Sequence, residues 1–322
     1  MKNTNLKKYE FANPTISPAT TYAGQQSLPY VTSAVRSNST VSQGACRTVD
    51  GFNSKAVIST LSVASPLGAG DCDFNPTDST IGESVIDLTQ FNVNLQYCRG
   101  TLYPTWIGQG MDRNGNLPQT FEAFILETVV ANVGQAIEDE MWQGGGNWGT
   151  GFLSNDGSFG AVTFGNSAMK DFTVQEFSDD PSTAKIIDNL NEVYSKVVDT
   201  KSALLSKEGF GFYMSQQMYS YYAMSLGSST TFQQLGSAGA FTGLTYMGYP
   251  IYVCNGMFND IIVATYPENL VLASNSLSDM NELRLIPAYE YDGSDNIKVA
   301  MRFSAGVGVG ISTDGVIGYN LA

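Results

Sequence analysis

The C-terminal stretch KVAMRFSAGVGVGISTDGVIGYN, Lys298 to Asn320, places Gly306, Gly308 and Gly310 at every second position. Glycines this close suggest a loop that cradles phosphate. A dinucleotide loop, however, needs GxGxxG between a strand and a helix, with an acid farther on. Here the spacing is GxGxG, and the twelve residues after Gly310 open a new strand, GVIGY, rather than a helix. In a strand of period 2, Val307 and Val309 point to one side and the glycines to the other. On the glycine side the missing Cβ permits close approach of another backbone. The stretch is therefore read as a strand crossed closely by a second segment, and the phosphate reading is set aside.

Composition sharpens the search. The chain has 322 residues, 43% of them hydrophobic, enough for a sizeable core and two lobes. Its net charge of −14 argues against a dedicated nucleic-acid binder, which neutralises phosphates with Lys and Arg. Charged residues make up 14%, against roughly 25% in an ordinary soluble domain. So few charges fit a chain whose surface is extensively covered by partners, because interfaces deplete charge at their centres. The alternative is a β-rich domain with a Ser/Thr/Asn/Gly surface. There is no histidine, which removes Ser-His-Asp and Cys-His triads and His-ligated zinc. Carboxylate, Lys or Tyr chemistry remains open. Cys46, Cys72, Cys98 and Cys254 form no CxxC pair, so a zinc ribbon is not expected. Thiols are the expectation for all four, with a Cys46–Cys98 pairing left open. The N-terminus, MKNTNLKKYEFANPT, has no apolar stretch and does not read as a secretory signal.

Residues 1–45 are polar and rich in Ser, Thr, Asn and Pro, too poor in apolar surface to order alone. They are expected to be held by a neighbouring subunit. AVISTLSVA (56–64) and SVIDLTQFNVNLQYCRG (84–100) read as strands. In the second, Phe91, Val93, Leu95 and Tyr97 alternate with Asn92, Asn94 and Gln96. Together they predict a long two-stranded arm with its tip near 66–82, which needs something to lie on. The clearest helix is about 117–142. Phe121, Phe124, Ile125, Val129, Val133, Ala136, Ile137 and Met141 recur at steps of three and four, Asn116 is a candidate cap, and Gly144–Gly146 end it. Some 24 residues make a rod of about 36 Å. A second helix is predicted from Asp180 as cap and Pro181 as first helical residue, with Ile186, Leu190, Val193 and Val197 as its stripe. FGFYM (210–214) reads as a buried strand, and Ser215 caps a third helix that stops at Gly227. From 244 onward strands dominate, so the pattern is α+β.

The remaining motifs carry little chemistry. Asp112, Asn114 and Asn116, and Asp71, Asp73 and Asn75, resemble calcium-loop ligands. The calcium hand needs Gly at position 6 and Glu at position 12, where these loops have Leu117 and Ala123, and Pro76 and Gly82. Turn chemistry is the better reading. Glu138, Asp139 and Glu140, at a helix end, are read as a solvated or intersubunit face. The abundant Tyr and Phe, 17 of each, fit cores and interfaces better than base stacking, which needs a basic groove.

From about residue 46 to the end, the chain resembles the major capsid proteins of tailed bacteriophages, the Hong Kong 97 fold. The stretches AIEDEMWQGGGNWGTGFLS, LTYMGYPIYVCNGM with Gly248 and Pro250, DIIVATYPENLVLA and LRLIPAYEYDGSDNIKVAMRFSAGVGVGI carry the likeness by their order and spacing. The resemblance implies an N-terminal arm (1–45), an extended hairpin or E-loop (46–100), a P-domain with the spine helix (101–180), an A-domain (181–284) and returning P-domain strands (285–322). It implies a structural, non-enzymatic subunit with no cofactor or metal, self-assembling into pentamers and hexamers of an icosahedral capsid around double-stranded DNA. That capsid would form in the host cytoplasm with a separate scaffolding protein, a portal and decoration proteins. Candidates for intersubunit contact are Phe91, Val93, Leu95 and Tyr97 on the arm, Glu138 and Glu140 on the helix, and Phe232 and Phe241 in the loop 227–243, expected at the capsomer axis. Lys55 lies in the hairpin, where some relatives crosslink, but no partner can be assigned and no crosslink is expected. An encapsulin-type nanocompartment shell is the nearest alternative, and a carboxylate-dependent hydrolase the more distant one.

Overall fold

Among the described residues the glycine-containing strand is the longest, and two sheets meet at its end. The structure, a computed structural model, describes residues 20–23, 38–51, 55–63, 79–98, 119–145, 150–153, 167–228, 244–275, 282–288, 293–294 and 296–320. In chain order the elements are β1 (Thr20–Ala23), α1 (Ser39–Ser42), β2 (Arg47–Asp50), β3 (Lys55–Val63), β4 (Ser79–Asp87) and β5 (Thr89–Cys98). There follow α2 (Gln119–Gln143), β6 (Thr173–Glu176), α3 (Ile186–Lys201), β7 (Gly211–Met214), α4 (Gln216–Ser228), β8 (Thr245–Tyr246) and β9 (Tyr249–Val253). Then come β10 (Ile261–Thr265), β11 (Leu270–Ser274), β12 (Glu282–Pro287), β13 (Asn296–Val309) and β14 (Val316–Tyr319).

The first sheet is built on β13. β5 pairs antiparallel along one edge, from Asn296↔Cys98 to Ala305↔Thr89. β12 and then β11 share the other edge, with β1 outside β12 and β2 outside β11. Ile297, Val299, Met301 and Phe303 alternate inward and are buried. They share a core with the α2 stripe Val129, Val130, Val133, Ile137, Met141 and Trp142. The α2 helix ends where Gly144 takes a left-handed φ of 62°, its N–H returning to the Glu140 carbonyl. The indole of Trp142 lies 5.2 Å from the Phe152 ring and 6.0 Å from Tyr213.

The second sheet runs β6-β14-β10-β7-β9-β8. Its central strands are buried on both faces, which explains the unbroken apolar runs in FGFYM and IIVAT. Tyr213, Val263 and Ile317 face the α2 core, while Phe212, Met214, Ile262, Ala264 and Val316 face a second core made with α3 and α4. Buried Asn269 secures the turn between β13 and β14. Its amide donates to the carbonyls of Ile311 (3.2 Å) and Asp314 (3.1 Å), and its Oδ1 accepts from the Ile311 N–H (2.7 Å).

Several expectations are corrected. The projecting hairpin is β3 with β4, in register from Lys55↔Asp87 to Val63↔Ser79. At Leu88 the chain turns and β5 joins the main sheet, because the open edge of β13 offers it ten partners. α3 starts at Ile186, not Pro181; residues 183–185 form a turn, and the Ile186 N–H reaches the Ser182 carbonyl at 2.9 Å. The strands of 285–322 divide, β13 to the first sheet and β14 to the second. Residues 20–23 and 38–46 are held by their own chain, β1 on the outer edge of β12. Ser215 does cap α4, accepting from the Met218 N–H at 3.4 Å. The hairpin tip, the Asn116 cap, the acidic loop positions 71–78 and the loop 229–243 lie outside the described residues.

The glycines behave as expected of a closely crossed strand. A Cβ at Gly306 would overlap the Asp87 carbonyl, and one at Gly308 the Ile86 side chain; at Gly310 the nearest atom, Asn269 Oδ1, is 3.4 Å away. Gly306→Ala should therefore cost about 1–3 kcal/mol through forced backbone displacement. Gly310→Ala should be much milder. Paired thermal melts of the two variants measure the difference; equal melts would remove the close-approach argument.

Candidate functional site

The hairpin has two unlike faces. Near its root, Ala56 and Ile86 are buried against Val271 and Ala273, with Val49, Ile58 and Leu88 around them. The Ser84 hydroxyl donates to the Val309 carbonyl at 2.7 Å, tying β4 to the end of β13. The register places Val57 opposite Val85 and Ser59 opposite Glu83 on the other face, with Ile81 two residues farther along β4. There Val57, Val85 and Ile81 are 50%, 52% and 69% exposed. A two-stranded ribbon is marginal by itself, and this one turns branched apolar side chains to solvent. The exposed Lys55–Asp87 pair, 3.0 Å apart, adds little. A cleft of about 630 Å³ lies between hairpin and body, lined by Thr60, Ser84, Val85, Lys170, Asp171 and Val309 among others.

The contact candidates from the sequence sit elsewhere. Phe91, Val93, Leu95 and Tyr97 are half-buried and pack on their own α2 core, Phe91 lying 5.4 Å from Phe303 between ring centres. Glu138 is buried inside its own chain rather than on a solvated face. Glu140 is half-buried one turn-edge away. Phe232 and Phe241 lie outside the described residues.

Glu138 organises a junction of three distant segments. Its carboxylate accepts from the Ser39 N–H (2.7 Å), the Ser39 hydroxyl, the Thr40 hydroxyl (3.0 Å) and the Asn255 N–H (3.0 Å). The Trp142 indole donates to Thr40 at 2.9 Å. Gln43 exchanges two hydrogen bonds with the Val253 backbone, as a paired strand residue would. The Tyr213 hydroxyl donates to the Ala45 carbonyl at 2.8 Å. A charge buried among this many donors is satisfied without a cation. The signal was present in the sequence: positions 130, 134, 138 and 141–142 form one helix face, so Glu138 stands in the core stripe.

The chemistry of the buried groups is inert. Burial first, and then the Glu138 charge, pushes the Cys46 thiol up to about 12. Burial raises Cys254 further, and the Tyr213 phenol well above its ordinary range. Burial and the Glu138 charge raise Asp139, against the Gln135 amide that donates to it at 3.0 Å. Cys46 is buried, Cys98 lies on the solvent face of β5, and no disulfide joins them. Among the described residues no cluster of three His, Cys, Asp or Glu could hold a metal ion, and no helix is long and apolar enough to cross a membrane.

A long helix backing one sheet, a second two-faced sheet and a projecting ribbon make an α+β fold. Solved structures specify it as the tailed-phage major capsid fold. The capsid of the native GTA particle, computed with C5 symmetry, matches with a TM-score of 0.56 and 14% identity over 90% of this chain and 91% of that one. The capsid of Myoviridae phage XM1 matches at 0.54 and 12%, over 88% and 92%. Gordonia phage Cozz matches at 0.54 and 13%, over 88% and 87%. No family model matches the chain, and no curated protein matches it.

Glu138→Ala removes the acceptor of four donors, of which only the Asn255 N–H keeps another, the Ser39 hydroxyl oxygen at 3.1 Å, and should cost about 3 kcal/mol or more. Amide exchange at Ser39 and Asn255 should accelerate together; exchange that rises at one alone would mean the segments are not joined through Glu138. For the thiols, peptide mapping after labelling at pH 8 should find Cys98 modified and Cys46 and Cys254 protected. Because the folded Cys46 pKa lies above its ordinary value of 9.0, its contribution is complete below pH 9. It is lost as pH rises toward 12, so melting temperature should fall across that window. Cys46→Ala should flatten the fall.

Proposed function

We propose that the chain is the structural subunit of an icosahedral phage capsid, self-assembling into pentamers and hexamers around double-stranded DNA. The observation that carries this reading is the likeness of fold, over about nine-tenths of the chain, to solved phage and GTA capsids. The hairpin supports it: an apolar stripe turned away from its own body is suited to lie on a neighbouring copy. The low charged fraction supports it as well.

In this reading α2 is the spine helix of a P-domain built with the β13 sheet, and β3–β4 is the E-loop. The A-domain is the α3, α4 and β7–β10 unit, which borrows β6 and β14 from outside 181–284. Residues 1–45 form the arm. The subunit is not an enzyme. A separate scaffolding protein, a portal and decoration proteins complete assembly in the host cytoplasm, and DNA is enclosed without sequence-specific contact.

Negative-stain microscopy of the purified chain, alone and co-expressed with its neighbouring genes, tests the proposal. Closed shells or capsomer rings are expected, and DNA inside them separates a phage capsid from a cargo nanocompartment. A persistent monomer or dimer under both conditions would overturn it.

A further inference from the structure

The turn that meets Glu138 carries a reactive pair. The sequence holds two Asn-Gly steps: Asn114-Gly115, which lies outside the described residues, and Asn255-Gly256. The Met257 N–H reaches the Cys254 carbonyl at 3.2 Å and closes a turn with Asn255 and Gly256 at its centre. Asn255 is exposed. Its main-chain N–H is committed to Glu138 at 3.0 Å and to the Ser39 hydroxyl oxygen at 3.1 Å. Its side-chain amide makes no hydrogen bond among the described residues, and neither does the Gly256 N–H. A carboxamide free to rotate is thus followed by a nitrogen held by no acceptor, and glycine puts no Cβ in the way of ring closure. Asn92 and Asn94 are also exposed, but Val93 and Leu95 follow them, with branched side chains crowding the nitrogen, in a strand paired along its length with β13.

We propose that Asn255-Gly256 is a site of spontaneous covalent modification, and that its conversion loosens the Glu138 junction. The Gly256 nitrogen bonds to Cγ of Asn255 and gives up its proton, and the side-chain nitrogen leaves as ammonia. A succinimide ring results. Water then opens the ring at one of its two carbonyls, giving aspartate or isoaspartate, in which the main chain runs through the former side chain. Neither step oxidises or reduces any atom.

The surroundings cannot absorb the product. Gly256 lies so close to α2 that a Cβ there would come 2.3 Å from the Glu138 carbonyl oxygen. Its own carbonyl accepts from the Gln143 side chain at 2.9 Å. Isoaspartate lengthens the main chain by one methylene at this point, so Gly256 must shift against Glu138 and Gln143. Either product also adds a carboxylate to the residue whose N–H serves Glu138, and like charges at close range disfavour each other. The junction of residues 39–45, α2 and the 253–257 turn therefore weakens with the age of the molecule.

The test is ageing of the full chain. Freshly purified protein is incubated in mildly alkaline buffer, folded and, in parallel, unfolded in urea, and sampled by chymotryptic mapping. In both, the peptide Val253–Phe258 should gain the mass of an amide-to-carboxylate conversion and become a substrate for isoaspartyl methyltransferase. In the folded chain Asn92 and Asn94 should stay intact. The aged folded chain should melt at a lower temperature than the fresh one, with faster amide exchange at Ser39. Asn255→Gln keeps the N–H to Glu138, and its longer side chain closes a ring far more slowly. Aged alongside, it should show neither change, which separates Asn255 from every other ageing site. Conversion in urea but not in the folded chain would mean that the turn blocks ring closure, and overturns the site. Conversion of the folded wild type with the melt and Ser39 exchange of the aged N255Q chain overturns the loosening.

Discussion

The close contact between the bare face of β13 and the β4 backbone is the constraint on which the rest of the structure depends. Two glycines without side chains let Ile86 and Asp87 cross the sheet at a distance that no other residue allows. Because β4 crosses there, β5 can follow directly and pair along β13 from Ala305 back to Asn296. Any side chain at Gly306 would have to move backbone, which the Ser84–Val309 bond and the buried Ile86 both resist. The projecting ribbon and the continuous sheet are thus two consequences of one local contact.

How much of this was legible in the sequence depended on the range of the interaction. The period of the spine helix, its glycine stop and the alternation of Val307 and Val309 with glycine are local signals, and the structure agrees with them. The extent of the hairpin was not local. Phe91, Val93, Leu95 and Tyr97 have the same alternation whether they pair with β3 or with β13, and the competition was decided by the long free edge of β13. Asp180 and Pro181 form a sound helix start by propensity, yet they precede a turn at 183–185 and α3 begins at Ile186. Glu138 was misread because charge was weighed above position. In its stripe it faces inward, and its partners Ser39, Thr40 and Asn255 lie about a hundred residues away in both directions.

The low charged fraction also gains a physical location. The central strands of the second sheet bury both faces, so they need few polar side chains. The first sheet covers its outer face with Asn and Gln beside a few cations. Neutral amides hydrogen-bond to water or to a partner at low desolvation cost, whereas a carboxylate or ammonium must find a counter-ion when covered. Such a surface can be buried and re-exposed with little electrostatic penalty.

The two cores differ in how they are tied to the chain. The α2 core gathers segments from positions 45 to 317, while the α3–α4 core draws on 177–266 with Val316 added at the end. They meet through the second sheet, where neighbouring residues such as Phe212 and Tyr213 point into opposite cores. A force applied to one lobe is therefore passed to the other through strand pairing and packed side chains rather than through a flexible linker. Asn269 strengthens this link by holding the 310–314 turn with its whole amide. The result is a stiff two-lobed body from which the β3–β4 ribbon turns Val57, Ile81, Val85 and Glu83 to solvent.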